Sequence, residues 1–427
     1  MYYTISGLYT LSASLIWGVN TLFLLDAGLD IFQVFLVNSI FSIGMTLFEV
    51  PTGVLADTRG RRASFLLSTL VLAAGTLGYV IGARLEQSFL ALSAMSVVLG
   101  LGFTFYSGAV EAWLVDALKM TEFQGSLDQV FARASLISGA AMLVGTVGGG
   151  FFGDYNLSIP YVVRAALLLL LFVLAFFTMH EIGFQPRAMR FSAIPQEMKQ
   201  VARASLQYGW RMPGLRLLML ANFLQTGFMF WGFYAWPPYF LELLGRDAVW
   251  VSGVVAALIS LATMAGNALV ERLTRICGKR TTLLLWAAAA GALASAGVGL
   301  AGSFWPALAL LLVAMAAQGV STPVRQAYLH QETPSEQRAA ILSFDSMIGN
   351  SGGILGQAGL GYLSQVSSIA TGYVTGGLAT IAAVPLLFGL RRLNRPADQI
   401  KGEAGKDSAC AAQGIPPISS VDTSTPD

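Results

Sequence analysis

Acidic and basic side chains are scarce in this sequence, and those that interrupt its apolar runs are the ones whose positions could support chemistry. Glu49, Glu111, Arg325 and Asp345 stand inside runs long enough to cross a bilayer. A charge at mid-membrane costs about 2.5 to 3.5 kcal/mol and therefore tends to face a cavity or a partner. Glu49 precedes Asp57 by eight residues, hence ~12 Å along one helix, and Glu111 precedes Asp116 by five, ~7 to 8 Å along another. A carboxylate that is dry in one conformation and wet or paired in another changes its proton affinity, which couples proton movement to conformational change. Binding a proton or a cationic substrate is one use of these groups, and a structural ion pair is the other. An internal offset of 214 residues sets Glu111 opposite Arg325, so that an acid of one half could meet a base of the other. Arg133 and Asn350 are further polar interruptions that helix packing alone would explain.

The densest cluster of charge is the stretch Gly53-Val54-Leu55-Ala56-Asp57-Thr58-Arg59-Gly60-Arg61-Arg62. Asp57 ends one apolar run, and Arg61, four residues on, is within pairing reach if Gly60 supplies a compact turn. The fourth run ends on the same side with Asp116. Ion pairs of this kind are strong when water is excluded and weak when it is admitted. The pattern G-x-L-A-D-x-x-G-R-R, carried by Gly53, Leu55, Asp57, Gly60, Arg61 and Arg62, resembles the loop signature between the second and third helices of the major facilitator superfamily. The lead-in from Phe48 to Thr52 resembles that of its bacterial drug:proton antiporter-like branch. The resemblance implies an alternating-access transporter in which Asp57, Arg61 and Asp116 latch the outward-open state. Two features depart from that branch. The glycines of the fifth run (Gly139, Gly145, Gly148, Gly149, Gly150 and Gly153) lack the usual proline after the middle glycine, and Ser96 and Val98 stand where the fourth helix commonly carries a base.

Composition says what must position these groups. Of 427 residues, 55% are hydrophobic and only 11% charged, against about 25% charged in a soluble domain, so the chain is an integral membrane protein. Spanning runs fall near 5–25, 31–56, 63–83, 88–115, 130–152 and 158–179, then 214–240, 248–271, 281–302, 304–328, 339–363 and 368–390. Two short-looped sets of six predict an all-α fold of twelve transmembrane helices. Three of the 25 Lys and Arg, namely Arg84, Arg164 and Arg246, lie toward the outer side, and the remaining 22 lie at the other, which predicts both termini in the cytoplasm. The 214-residue offset pairs Trp17-Gly18 with Trp231-Gly232, and Leu55, Asp57 and Arg61 with Leu269, Glu271 and Arg275. It also pairs Gly139 and Gly145 with Gly353 and Gly359. Such a repeat predicts two six-helix bundles related by a pseudo-twofold along the membrane normal, with a site between them at mid-depth. The expected units are residues 1–180, a linker 181–213 containing an amphipathic helix near 194–208, a second bundle 214–395, and a disordered cytoplasmic tail 396–427.

The seventh run is exceptionally aromatic. Trp17, Asn20, Gln225, Trp231 and Tyr234 are candidates for an apolar or cation-accepting pocket wall. Trp236 and Tyr239 suit the membrane interface, and Pro237-Pro238 should unwind the outer end of the helix. Gly349-Asn350-Ser351-Gly352-Gly353 fits the nucleophile-elbow pattern but lies in a membrane helix without a preceding strand. His180 and His330 cannot build a metal site, no phosphate-binding loop occurs, and Cys277 and Cys410 fall where thiols stay reduced. The expectation is therefore no enzyme, no cofactor, no metal and, at a net charge of +2, no nucleic-acid partner. It is instead a monomer of the bacterial cytoplasmic membrane that exports a hydrophobic or amphipathic small molecule against inward protons. The alternatives are an uptake permease for a small metabolite, or a non-transporting membrane sensor or assembly protein.

Overall fold

A computed structural model describes residues 1–184, 210–245, 248–333 and 338–400. The N-terminal half comprises α1 (Tyr2–Ser14), α2 (Asn20–Asp26), α3 (Ile31–Arg59), α4 (Arg61–Gly82), α5 (Ser88–Tyr106), α6 (Ala109–Met120), α7 (Leu127–Tyr155) and α8 (Ile159–Thr178). The C-terminal half comprises α9 (Pro213–Leu244), α10 (Val249–Cys277), α11 (Arg280–Leu300), α12 (Phe304–Glu332), α13 (Arg338–Val366), α14 (Ile369–Thr380) and α15 (Ala383–Arg392). Nine spans among the described residues are long and apolar enough to cross a membrane. The α1–α2 pair, α9 and α13 complete the twelve. The expected amphipathic linker helix at 194–208 lies outside the described residues.

Three spans are broken, and each break has a local cause. Between α1 and α2, residues Leu15 to Val19 form turns where Gly18 runs against the facing half; a Cβ there would lie 3.1 Å from the Ser252 carbonyl oxygen. Between α5 and α6, Gly108 takes the left-handed conformation at φ 73°, which only glycine adopts freely. The α14–α15 break is a tight turn, with the Val384 amide donating to the Ile381 carbonyl.

The halves meet through α7 against α10 and α3 against α13. A Cβ on Gly150 would sit 2.7 Å from the Gly253 Cα, and one on Gly253 would sit 2.6 Å from the Thr146 carbonyl oxygen, so these backbones touch. Small residues permit such approach where lipid supplies no hydrophobic drive between helices. The polar links between halves are few among the described residues. Thr21 Oγ1 donates to the Tyr234 carbonyl at 2.7 Å, Ser39 Oγ bonds Gln357 Oε1 at 3.0 Å, and the Trp250 amide reaches Asp154 at 3.4 Å. All of them lie away from the Asp57–Arg62 hinge, in the half of the molecule that holds the turns after α2, α7 and α9. The structure is closed at that far end.

Two expectations need correcting. Pro237 and Pro238 do not unwind their helix, because α9 runs unbroken from Pro213 to Leu244. Pro238 cannot donate to the Tyr234 carbonyl one turn back, and Thr21 of the other half supplies the missing donor. The proline pair thus becomes a docking point between halves. The tail, expected to begin loose at 396, is instead ordered to Ile400. Residues Pro396–Asp398 form a 3₁₀ turn, with Ala397 and Asp398 buried. Asp398 accepts from the Thr281 amide at 2.7 Å and its hydroxyl at 2.9 Å, while Arg280 donates to the carbonyls of Ala397 and Gln399. An anion at the first turn of α11 satisfies free amides and matches the helix dipole. Asp398→Ala should therefore lower stability by about 1 to 2 kcal/mol, as for other lost N-terminal caps.

Candidate transport site

A cavity of about 370 Å³ lies between the halves. Its depth follows from the residues that line it: Ser42 and Met45 sit near the middle of α3, Ser260 and Thr263 near the middle of α10, and Met315 and Gln318 near the middle of α12. The aromatic wall is Trp17, Phe41, Phe230, Phe233, Tyr234 and Trp236, with Trp17 edge-on to Phe233 at 6.2 Å between centroids. None of the lining residues is charged. A smaller space of about 100 Å³ adjoins it inside the C-terminal half, sharing Met229, Phe233, Trp236 and Gln318 as wall.

The pocket candidates separate on this geometry. Trp17 and Tyr234 line the central cavity, and Gln225 faces the adjoining one. Trp231 does not. It is fully buried and packs on Phe35 at 5.9 Å and Tyr373 at 5.0 Å, joining the two halves rather than facing a ligand. Asn20 is likewise occupied, donating to Asn38 Oδ1 at 3.1 Å and accepting from the Tyr161 hydroxyl at 2.8 Å. Trp236 and Tyr239 were expected at the interface, yet both are buried, and Tyr239 donates to the Val298 carbonyl at 3.1 Å. Helix continuity through the proline pair carries them into the bundle.

Of the charged candidates, Asp345 and Arg325 come together as a buried ion pair on α13 and α12. The expected approach of Glu111 to Arg325 is not formed. Arg325 is paired within its own half. Glu49 and Glu111 are both exposed and line neither cavity.

At the hinge, Gly60 adopts φ 107° and Arg61 Nη1 lies 2.5 Å from Asp57 Oδ1. The corresponding pair in the other half, Glu271 with Arg275, also forms but is largely exposed. Asp116 shares a polar cleft with Arg61, Lys119 and Gly183 without an ion pair to either base. The carboxylate that engages the turn is Glu181, which accepts from the Arg61 amide at 3.2 Å and the Arg62 amide at 2.9 Å. It crowds the face of Gly60, whose positive φ already disfavours any other residue. Arg62 donates to the Phe176 carbonyl at 2.7 Å and lies over the Phe176 ring at 5.3 Å. Gly53 has open space around it. Sequence reasoning missed Glu181, whose signal was an acid directly after the sixth run. Its use depends on the end of α8 lying beside the start of α4.

A family model described as the Major Facilitator Superfamily matches residues 3–285 and 251–421. Tetracycline resistance protein, class G, of Vibrio anguillarum is 25% identical over 374 residues, covering 84% of this chain and 86% of that protein. An uncharacterized MFS-type transporter, YxaM of Bacillus subtilis (strain 168), is 22% identical over 173 residues, covering 40% of this chain and 41% of that one. A crystal structure of the nucleoside transporter NupG superposes with a TM-score of 0.72 at 13% identity, covering 92% of this chain and 98% of that one.

The buried pair makes a quantitative prediction. Asp345→Leu leaves the Arg325 guanidinium buried without a counter-ion and should cost about 3 to 5 kcal/mol. Combining it with Arg325→Met should recover most of that loss, read as thermal unfolding of both variants in detergent.

Proposed function

Because this chain belongs to the Major Facilitator Superfamily, we propose that it exports hydrophobic or amphipathic small molecules by alternating access, driven by inward proton movement. The observation that carries this reading is the mid-depth cavity, with apolar and aromatic walls contributed by both halves and one end sealed by the Gly150–Gly253 contact. An uncharged aromatic space suits apolar bodies rather than sugars, which need many hydrogen-bonding groups. The relatives named as tetracycline resistance proteins support efflux. The likeness to a nucleoside transporter speaks to the fold alone.

With the basic hinge in the cytoplasm of a bacterial cell, the sealed end is external and this conformation faces inward. Export then proceeds by loading from the cytoplasm or inner leaflet, closure at the hinge side, and separation of the Gly150–Gly253 seam. In the inward-facing state the Asp57–Arg61 pair is held only by its own half. Closure at the hinge would exclude water from Asp57, Arg61, Arg62, Asp116 and Glu181 and strengthen their pairing, which is how a latch would favour the outward-open state. Asp345 with Arg325 offers a coupling carboxylate whose partner can be lost as helices shift, and Glu49 and Glu111 offer exposed carboxylates with no ion-pair partner among the described residues.

Inverted membrane vesicles energised with a pH gradient should accumulate fluorescent amphipathic probes, and collapse of the gradient should abolish the accumulation. Accumulation unaffected by the gradient would remove proton coupling, and no accumulation of any probe would remove export. In the same vesicles Asp57→Asn should insert normally and slow transport about tenfold or more. Normal insertion with normal transport would sink the latch.

A further inference from the structure

Arg164 is the single charged residue among the 20 of α8, and nothing in the transport reading above uses it. Its surroundings are unusual for a membrane arginine. Among the described residues no carboxylate pairs with it, and it makes no hydrogen bond; its Nε is buried without a partner. It is only partly exposed and sits beside side chains of α1, α4 and α9. The ionisable groups around it are the phenols of Tyr9 from α1, Tyr79 from α4, Tyr161 from its own helix and Tyr234 from α9.

Two of these phenols are committed. The Tyr79 hydroxyl bonds Ser96, and that of Tyr161 donates to Asn20. The hydroxyls of Tyr9 and Tyr234 have no hydrogen-bond partner among the described residues and are not among the sealed, unsatisfied atoms, so they border open space. Tyr234 is at the same time part of the central cavity wall. A guanidinium with no counter-ion beside two free O–H donors is a set of groups that an oxyanion would satisfy. An intramembrane charge persists when it has a partner in function, and arginine matches planar oxyanions in particular.

We propose that the substrate of the central cavity is an amphipathic organic anion, its carboxylate or similar oxyanion held by Arg164 with the Tyr9 and Tyr234 hydroxyls and its apolar body against Trp17, Phe233 and Trp236. This rests on the central cavity being the transport site. It sets aside one of the uses offered above for Glu49 and Glu111, binding a cationic substrate: neither lines the cavity, and among the described residues the unpaired charge near Tyr234 of its wall is positive.

A matched pair of probes tests it: naphthalene-1-acetate and naphthalen-1-ylmethylammonium, which share an apolar body and differ in the sign of charge. Binding to the purified full chain in neutral detergent is read from quenching of tryptophan fluorescence. The anion should bind about tenfold or more tightly than the cation, the ratio one charge-assisted contact gives. Arg164→Gln should remove that preference, chiefly by weakening the anion, and Arg164→Lys should keep part of it. The wild-type comparison stands even if a variant fails to fold. Equal binding of both probes, or tighter binding of the cation, overturns the anion site and leaves the cavity reading intact, whereas binding of neither removes both. Displacement of the anion by phosphatidylglycerol but not by phosphatidylcholine in mixed micelles would assign the charge to a lipid headgroup and overturn the substrate assignment.

Discussion

In hydrocarbon no water can rescue an unpaired polar group, and the arrangement of this protein follows from that constraint. The chain nevertheless contains prolines inside helices, interrupted spans and a handful of charges. Several of these are completed by another element. The carbonyl released by Pro238 is met by Thr21, and Asp345 neutralises Arg325 within one half. Asp398 and Glu181 occupy equivalent places at the ends of their halves, each feeding a carboxylate to the open amides at the start of a neighbouring helix, α11 and α4. Arg164 differs from these, because among the described residues no carboxylate pairs with it.

The same constraint explains how two rigid halves can move. Their shared surface is built at one end from glycine backbones in contact and a few hydrogen bonds, with no ion pair among the described residues. Separating such closely packed surfaces strands no pair of opposite charges in lipid. Charges instead gather at the hinge end, where Asp57, Arg61, Arg62 and Glu181 pair or bond within one half.

The α9 helix joins these themes. Its aromatic residues were visible in the sequence as a cluster, but they do different work. Trp236 and Tyr234 wall the cavity, Trp231 packs against Phe35 of the other half, and Tyr239 bonds to α11. Residue type alone cannot separate these uses, because they are set by which turn of one continuous helix faces which neighbour.

Hydropathy, the placement of basic residues and i,i+4 spacing are local properties that survive without tertiary context. They were enough to read the membrane class, the twelve spans, the two-part repeat and the hinge pair of Asp57 with Arg61 from the chain alone. They also marked the glycines of the fifth span as a packing surface. Folding was needed to show that Glu181 and not Asp116 caps the hinge, that Arg325 turns to Asp345 and not Glu111, and that Trp231 and Asn20 are occupied within the protein. These are contacts between groups far apart in the chain, and their partners are chosen by helix packing. Arg164 belongs to the same class. In sequence it is one more outward-side base, and its lack of a partner becomes visible only when four helices bring their tyrosines around it.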